Sequence, residues 1–164
     1  MKEILLTQNQ VALIDDDDYE RVNQYKWCVQ RTKGASYAVR KVVSGGRQEH
    51  ILMHRFILGV SERKICIDHI NFNGLDNRKE NIRACSYSQN IQHKHARKNK
   101  KHSKYKGVTY QNGHYGVYID TGEKRIQLFG IGGEIEAARI YNELAIKYFG
   151  EYAHLNEIPQ EVSV

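Results

Sequence analysis

The chain has 164 residues, of which 40% are apolar and 27% charged, with a single proline and a formal net charge of +6. That composition excludes a large multidomain assembly, wholesale disorder and low-complexity character. No apolar run approaches the ~20 residues needed to cross a bilayer, and Ile4-Leu5-Leu6 is too short a core for a secretory signal, so a soluble cytoplasmic protein is expected.

The chain opens on two short strand patterns, 4–6 and 11–14. The acidic run Asp15, Asp16, Asp17, Asp18 follows, in position to cap a short helix over 19–25. A metal site in those four carboxylates is the sharper alternative, but adjacent side chains diverge. Strands are expected over 36–43 and 49–56 around the turn Ser44-Gly45-Gly46-Arg47. A strand over 65–70, a polar loop over 71–80 and a second strand over 81–85 come next. Ser86 then starts a helix, with Gln89 in the capping-box position.

Residues 97–104 carry no apolar side chain apart from the stem carbons of their lysines, and read as a flexible basic linker. Beyond it, strand patterns over 105–111, 115–120 and 124–129 are joined by Asn112-Gly113 and Thr121-Gly122 turns. A helix over 134–149 presents Ala138, Tyr141, Ala145 and Tyr148 on one face, and Gly150 closes it. Gly130-Ile131-Gly132-Gly133 lacks the spacing of a phosphate-binding loop and reads as turn residues. On the strand patterns over 115–120 and 124–129, alternation puts Tyr115, Val117, Ile119, Ile126 and Leu128 against the helix. The opposite face then shows Tyr118, Asp120, Arg125 and Gln127.

The fold class is therefore α+β. Residues 1–60 form a mixed α/β segment, 61–96 a strand–loop–strand–helix core, 97–104 the linker, and 105–157 a three-stranded antiparallel sheet packed on one helix.

Charge is segregated along this chain. From 81 to 119 there is no acidic residue, yet Arg83, Lys94, Arg97, Lys98, Lys100, Lys101, Lys104 and Lys106 are there. A local cationic stretch suits a polyanion, because each neutralised phosphate releases condensed counterions. Cys28, Cys66 and Cys85 are an odd number with no C-x-x-C pair, which favours reduced thiols over a disulfide framework or a zinc knuckle.

The polar residues of the 65–90 segment carry the chemistry. Asp68 offers a hard carboxylate oxygen and Asn90 an amide oxygen, ligands that suit Mg²⁺ or Mn²⁺ better than Zn²⁺. Asp68 and His69 are sequence neighbours, so a strand end or bulge is needed to aim both at one phosphate.

The block Asp68-His69-Ile70-Asn71-Phe72-Asn73-Gly74-Leu75-Asp76-Asn77-Arg78, followed by Glu80-Asn81-Ile82-Arg83, resembles the core of phage-type HNH homing endonucleases. The offsets from His69 to Asn81 and Asn90 match the His-Asn-Asn variant of that ββα-metal fold, and Leu52-Met53-His54-Arg55-Phe56-Ile57-Leu58-Gly59 matches the leading segment. Many HNH enzymes have His where this chain has Asn90, so their metal preference does not carry over. The resemblance implies that His69 is the general base, that Asn81 fixes its tautomer, and that Asp68 and Asn90 hold one divalent ion. It implies hydrolysis of a DNA phosphodiester to a 5′-phosphate and a 3′-hydroxyl. His93, one turn past Asn90, is expected to contact phosphate, with a ligand role as the alternative.

Residues 104–156 resemble an APETALA2-type DNA-binding domain, through Tyr105-Lys106-Gly107-Val108, Arg125-Ile126-Gln127-Leu128, Glu136-Ala137-Ala138-Arg139 and the ending Gly150-Glu151-Tyr152-Ala153-His154-Leu155-Asn156. That likeness implies a sheet in the major groove of double-stranded DNA. Carried over, it assigns DNA contacts to Lys106, Thr109, Gln111, Tyr118, Arg125 and Gln127, beside the basic residues of the linker. Thr109, Gln111, Asp120 and Gln127 depart from the family's usual residues, so its usual target does not transfer.

The reading is a metal-dependent, site-directed DNA endonuclease that acts as a monomer with no protein partner. Its rivals are a non-catalytic DNA-binding regulator with a vestigial nuclease fold and an RNA-binding protein.

Overall fold

The computed structural model describes residues 1–96 and 103–159. The chain divides into two compact units between Tyr87 and Ser88. Its architecture is α+β, and every strand pairing is antiparallel apart from one isolated bridge.

In the first unit, β1 (Lys2–Leu5) and β2 (Val11–Ile14) form a hairpin in the register Lys2↔Ile14 to Leu5↔Val11. A 3₁₀ turn over Asp16–Asp18 runs into α1 (Tyr19–Asn23). The acidic run does not cap this helix as expected: Asp18 stands at the N-cap without a side-chain cap bond. Its carboxylate is drawn instead to cations, with Arg21 Nη2 at 2.5 Å and Lys79 Nζ at 2.9 Å. Next, β3 (Cys28–Arg31), β4 (Ser36–Ser44) and β5 (Arg47–Leu52) make a three-stranded sheet with β4 in the centre. The sequence reading did not anticipate β3.

The segment after β5 corrects another expectation. Residues 53–56 leave the sheet and begin α2 (Met53–Leu58), which buries Met53, His54 and Ile57. Gly59 ends α2 in the left-handed region, at φ 66°, with its N–H returned to the carbonyls of Arg55 and Phe56. The hairpin β6 (Cys66–His69) and β7 (Ile82–Cys85) follows, with Asp68 directly opposite Arg83 and His69 opposite Ile82.

One apolar core joins these pieces. Ile4, Ala12, Ile14, Val22, Trp27, Ala38, Met53 and Ile82 are all buried in it, so β7 is anchored on side chains from the first hairpin and α2. The long loop between β6 and β7 is pinned by backbone as well. Leu13 N–H donates to Leu75 O and Asn77 N–H to Leu13 O, each at 2.8 Å, forming a parallel bridge between Leu13 and Asp76.

Helix α3 (Tyr87–His93) begins at the division between the units. In the second unit, β8 (Val108–Gln111), β9 (His114–Asp120) and β10 (Arg125–Ile131) form a sheet with β9 central, and α4 (Glu134–Phe149) packs on it. The 134–149 helix was legible from its periodicity, and Ala137, Ala138, Tyr141, Ala145 and Phe149 fill its buried face against Val108, Val117 and Ile119. Gly107 lies under this packing at φ 71°, and a Cβ there would stand 1.9 Å from the Tyr141 ring. Two amides tie the end of the unit to its start. Asn156 accepts from Lys106 N–H at 2.6 Å and donates to Lys106 O at 3.0 Å, while Asn142 clasps the Asn156 backbone.

Leu128 corrects the alternation argument. It stands opposite buried Val117 in regular register on the edge strand β10, yet it is 40% exposed; the β9–β10 register shifts only after it, and Ile131 enters the core. Among the described residues, no helix is long and apolar enough to cross a membrane.

Candidate active site and nucleic-acid interface

The β6–β7 hairpin brings together Asp68, His69, Asn81 and Arg83 of the expected set. All but Arg83 are buried, and Arg83 is half-buried. Strand alternation gives the neighbours Asp68 and His69 different surroundings. Asp68 faces its cross-strand partner: Arg83 donates to Asp68 Oδ2 through Nε at 3.0 Å and through Nη2 at 2.9 Å.

His69 ends β6 in a sheltered aromatic nest. Its ring centroid lies 5.0 Å from that of His54, edge to face, and 5.8 Å from Tyr37. Burial pushes the His69 pKa below its ordinary value, while Asn77 beside the ring and the carboxylates of Asp68 and Asp76 work the other way. The net downward shift keeps the imidazole neutral near pH 7, the form able to accept a proton. Burial, with the charges of His69 and Arg55, takes His54 down to about 3. His54 Nδ1, His69 Nε2 and Asn77 Oδ1 are buried atoms with no hydrogen bond among the described residues.

The loop that carries Asn77 is held rigidly. Asp76, 2% exposed, accepts two parallel bonds from Arg78, at 2.8 and 2.7 Å, and a third from Asn71 at 2.8 Å. The Arg78 guanidinium therefore holds the Asp76 carboxyl below its ordinary range. The Asn81 amide braces this loop on both sides, accepting from Asn71 N–H at 2.9 Å and donating to Asp76 O at 2.7 Å. Gly74 is required by close approach, since a Cβ would stand 2.4 Å from Ser36 O and 2.7 Å from the Tyr37 ring. The sequence reading named Asn81 as the group beside the imidazole. The side chain that lies there as a polar neighbour is Asn77, with Asn81 holding the loop that presents it.

Asp15, Asp17 and Asp18 bring carboxylate oxygens within 4.8 Å of one another. The cation in that cluster is Lys79, whose Nζ lies 2.8 Å from Asp17 and 2.9 Å from Asp18, while its N–H donates to Asp15 Oδ2 at 2.7 Å. The acidic run thus fastens the β6–β7 loop to the N-terminal hairpin. Asp68, the carboxylate expected from its donor chemistry to hold a metal, has Oδ2 bonded to the Arg83 guanidinium. Asn90, the other expected ligand, is half-buried on α3 and belongs to the second unit.

The thiols are free. Cys66 and Cys85 are cross-strand partners, and burial, with Asp68 and Cys66, pushes the Cys85 thiol up to about 11. It stays protonated and unreactive at neutral pH.

In the second unit, Thr109, Gln111, Tyr118, Arg125 and Gln127 are exposed on the strands of the sheet, as alternation requires. Arg125 pairs with Asp120 at 3.3 Å. The sequence reading missed Phe129, which is 68% exposed and borders two hollows of about 280 and 260 Å³ in the sheet. Lys94 and Lys104 are exposed. The Lys106 ammonium donates to the carbonyls of Gln92 and Lys94 at the end of α3, a C-terminal cap. His93 is buried, with its ring 6.2 Å from His154. Arg97, Lys98, Lys100 and Lys101, expected as DNA contacts, lie outside the described residues.

Comparison with known proteins adds one relative. The chain is 30% identical over 151 residues, 90% of its own length and 75% of the relative's, to a protein of Acanthamoeba polyphaga mimivirus named as an uncharacterized HNH endonuclease. No protein-family model matches the chain, and no solved structure does.

Proposed function

Because the chain belongs to the HNH endonuclease family, we propose that it is a metal-dependent, site-directed DNA endonuclease of the phage homing type. The observation that carries the reading is the buried, neutral His69 beside the carboxylate of Asp68 on one short hairpin.

His69 is the general base. It takes a proton from water as the water oxygen bonds to phosphorus and the bond to the 3′ oxygen breaks; the departing 3′ oxygen takes a proton from solvent, leaving a 5′-phosphate and a 3′-hydroxyl. His54 packs edge to face on the ring, and Asn81 holds the loop behind it. Asp68, with Asn90 as the second ligand that the family likeness implies, would hold one Mg²⁺ or Mn²⁺, and that ion would stabilise charge on the scissile phosphate and the departing oxygen. The second unit is an APETALA2-type module whose exposed sheet face reads duplex DNA through Thr109, Gln111, Tyr118, Arg125 and Gln127. Arg83, His93, Lys94, Lys104 and Lys106 belong to the same cationic stretch and favour the phosphate backbone.

Incubation with supercoiled plasmid and Mg²⁺, Mn²⁺ or chelator tests the proposal. The wild type should nick or cut only with metal, and His69→Ala should bind DNA as well while losing nearly all cleavage. Equal cleavage by both proteins removes His69 from the mechanism. Tight binding to a verified cognate site without cutting favours the regulator.

A further inference from the structure

The face of the second sheet turned away from α4 carries one large apolar ring. Phe129, near the end of β10, is 68% exposed. Where β8 pairs with β9, Thr109 stands opposite Gly116. A Cβ on Gly116 would lie 2.8 Å from Leu128 O, 3.1 Å from Thr109 Oγ1 and 3.2 Å from the Phe129 ring. The missing side chain is therefore the space that Thr109 and Phe129 share. An aromatic ring beside a strand glycine shields the backbone there, yet most of this ring stays in solvent.

Two hollows flank Phe129, and their rims have one chemistry. Thr109 and Gln111 border both, Asn112 and His114 border the first, and Tyr118 and Gln127 border the second. Among the described residues around them there is no lysine, arginine or carboxylate. Phosphate favours lysine and arginine. Amides, hydroxyls and an apolar ring favour base edges.

One kind of base pair shows both of those chemistries on its major-groove edge. In A·T, adenine N7 and N6 match a glutamine amide, and the thymine methyl group matches an apolar side chain. Guanine is read by arginine or lysine instead. Arg125, two residues before Gln127 on the same face, lies 3.3 Å from the Asp120 carboxylate.

We propose that Phe129 is a specificity-determining residue that reads the methyl group of a thymine in the major groove, with the flanking Gln111 and Gln127 amides set for adenine. The inference rests on the reading of this sheet as the duplex-binding face, and adds to it a choice of A·T over G·C at the pairs the ring covers.

The test removes single methyl groups. The full chain carrying His69→Ala, which prevents cutting, selects its site from a random-sequence duplex library. The selected duplex is then remade with each thymine replaced in turn by uracil, which deletes the methyl and leaves every base-pair hydrogen bond in place. Fluorescence anisotropy at fixed salt reads each Kd. At one or two thymines the exchange should weaken binding about fourfold, the size of one buried methyl group. Adding Phe129→Ala should abolish the effect at those thymines and spare any effect elsewhere. Phe129→Leu, which keeps an apolar side chain, should retain part of it, and it serves as the comparison if the alanine variant does not fold.

A selected site with no A·T pair held in place overturns the proposal. So does a methyl effect that is as large in Phe129→Ala as in its parent at every thymine. If a site is enriched but all its thymines tolerate uracil, only the inference about Phe129 fails. If no sequence is enriched, the duplex-reading role of the sheet fails and the inference falls with it.

Discussion

Replacing His54 by Gln should flatten the acid side of the first unit's stability curve. His54 is 5% exposed, and its pKa lies near 3 against an ordinary 6.5, chiefly because burial penalises the charged ring. The folded state therefore takes up this proton only at much lower pH than the unfolded chain does. The stability linked to His54 is complete above 6.5 and is lost as pH falls from there toward 3. At about pH 5 the loss amounts to about 2 kcal/mol, at roughly 1.36 kcal/mol per unit. The chain has one tryptophan, and Trp27 is buried in the first unit with its indole N–H on Val22 O at 2.9 Å. Its fluorescence reports urea unfolding of that unit. Between about pH 7 and pH 5 the wild type should lose about 2 kcal/mol more than His54→Gln does. His69 titrates in both proteins and largely cancels in the difference. Parallel pH dependences would show that His54 is hydrated or protonated in the folded state, and would refute the picture of a dry, neutral imidazole pair.

Other perturbations reach the remaining parts of the structure. Asn81→Ala strands Asn71 N–H and Asp76 O, and should cost about 2–4 kcal/mol in the same urea assay, together with most of the cleavage. Gly107→Ala forces a Cβ into the Tyr141 ring at a left-handed φ. It should destabilise the second unit by about 3 kcal/mol or more, seen as an early loss of far-ultraviolet circular dichroism on heating. Phe129→Ala should leave stability within about 0.5 kcal/mol but weaken duplex binding about fivefold, roughly 1 kcal/mol by fluorescence anisotropy.

Much of the architecture was legible because its signals are local. The helix over 134–149 carries its apolar face at a spacing that only a helix satisfies, and Asn112-Gly113 leaves little choice but a hairpin, with φ values of 51° and 82°. What was missed depends on partners far away in the chain. Leu52-Met53-His54-Arg55-Phe56 is an apolar run that suits strand or helix alone, and packing against the core decided for helix. Alternation cannot foresee the exposure of Leu128, opposite buried Val117 on an edge strand, or the register shift after it that brings Ile131 into the core. At the site, Asp68, His69 and Asn81 were singled out through the resemblance to the HNH core, and the structure places all three on or beside one hairpin. His54 and Tyr37 come from α2 and β4, and only three-dimensional contact brings them to His69. The role of the acidic run stayed hidden for the same reason, since its counter-ion Lys79 is more than sixty residues away.

The backbone bridge between Leu13 and Asp76 has a practical meaning for anyone who would transplant this nuclease. The motif from Asp68 to Arg83 is not a portable cassette, because a graft that leaves out the first eighteen residues also leaves out the strand on which its loop is pinned and the carboxylates that grip Lys79. A chimera should exchange everything up to the start of α3 as one piece, or it will inherit the signature residues without the shape that makes them useful.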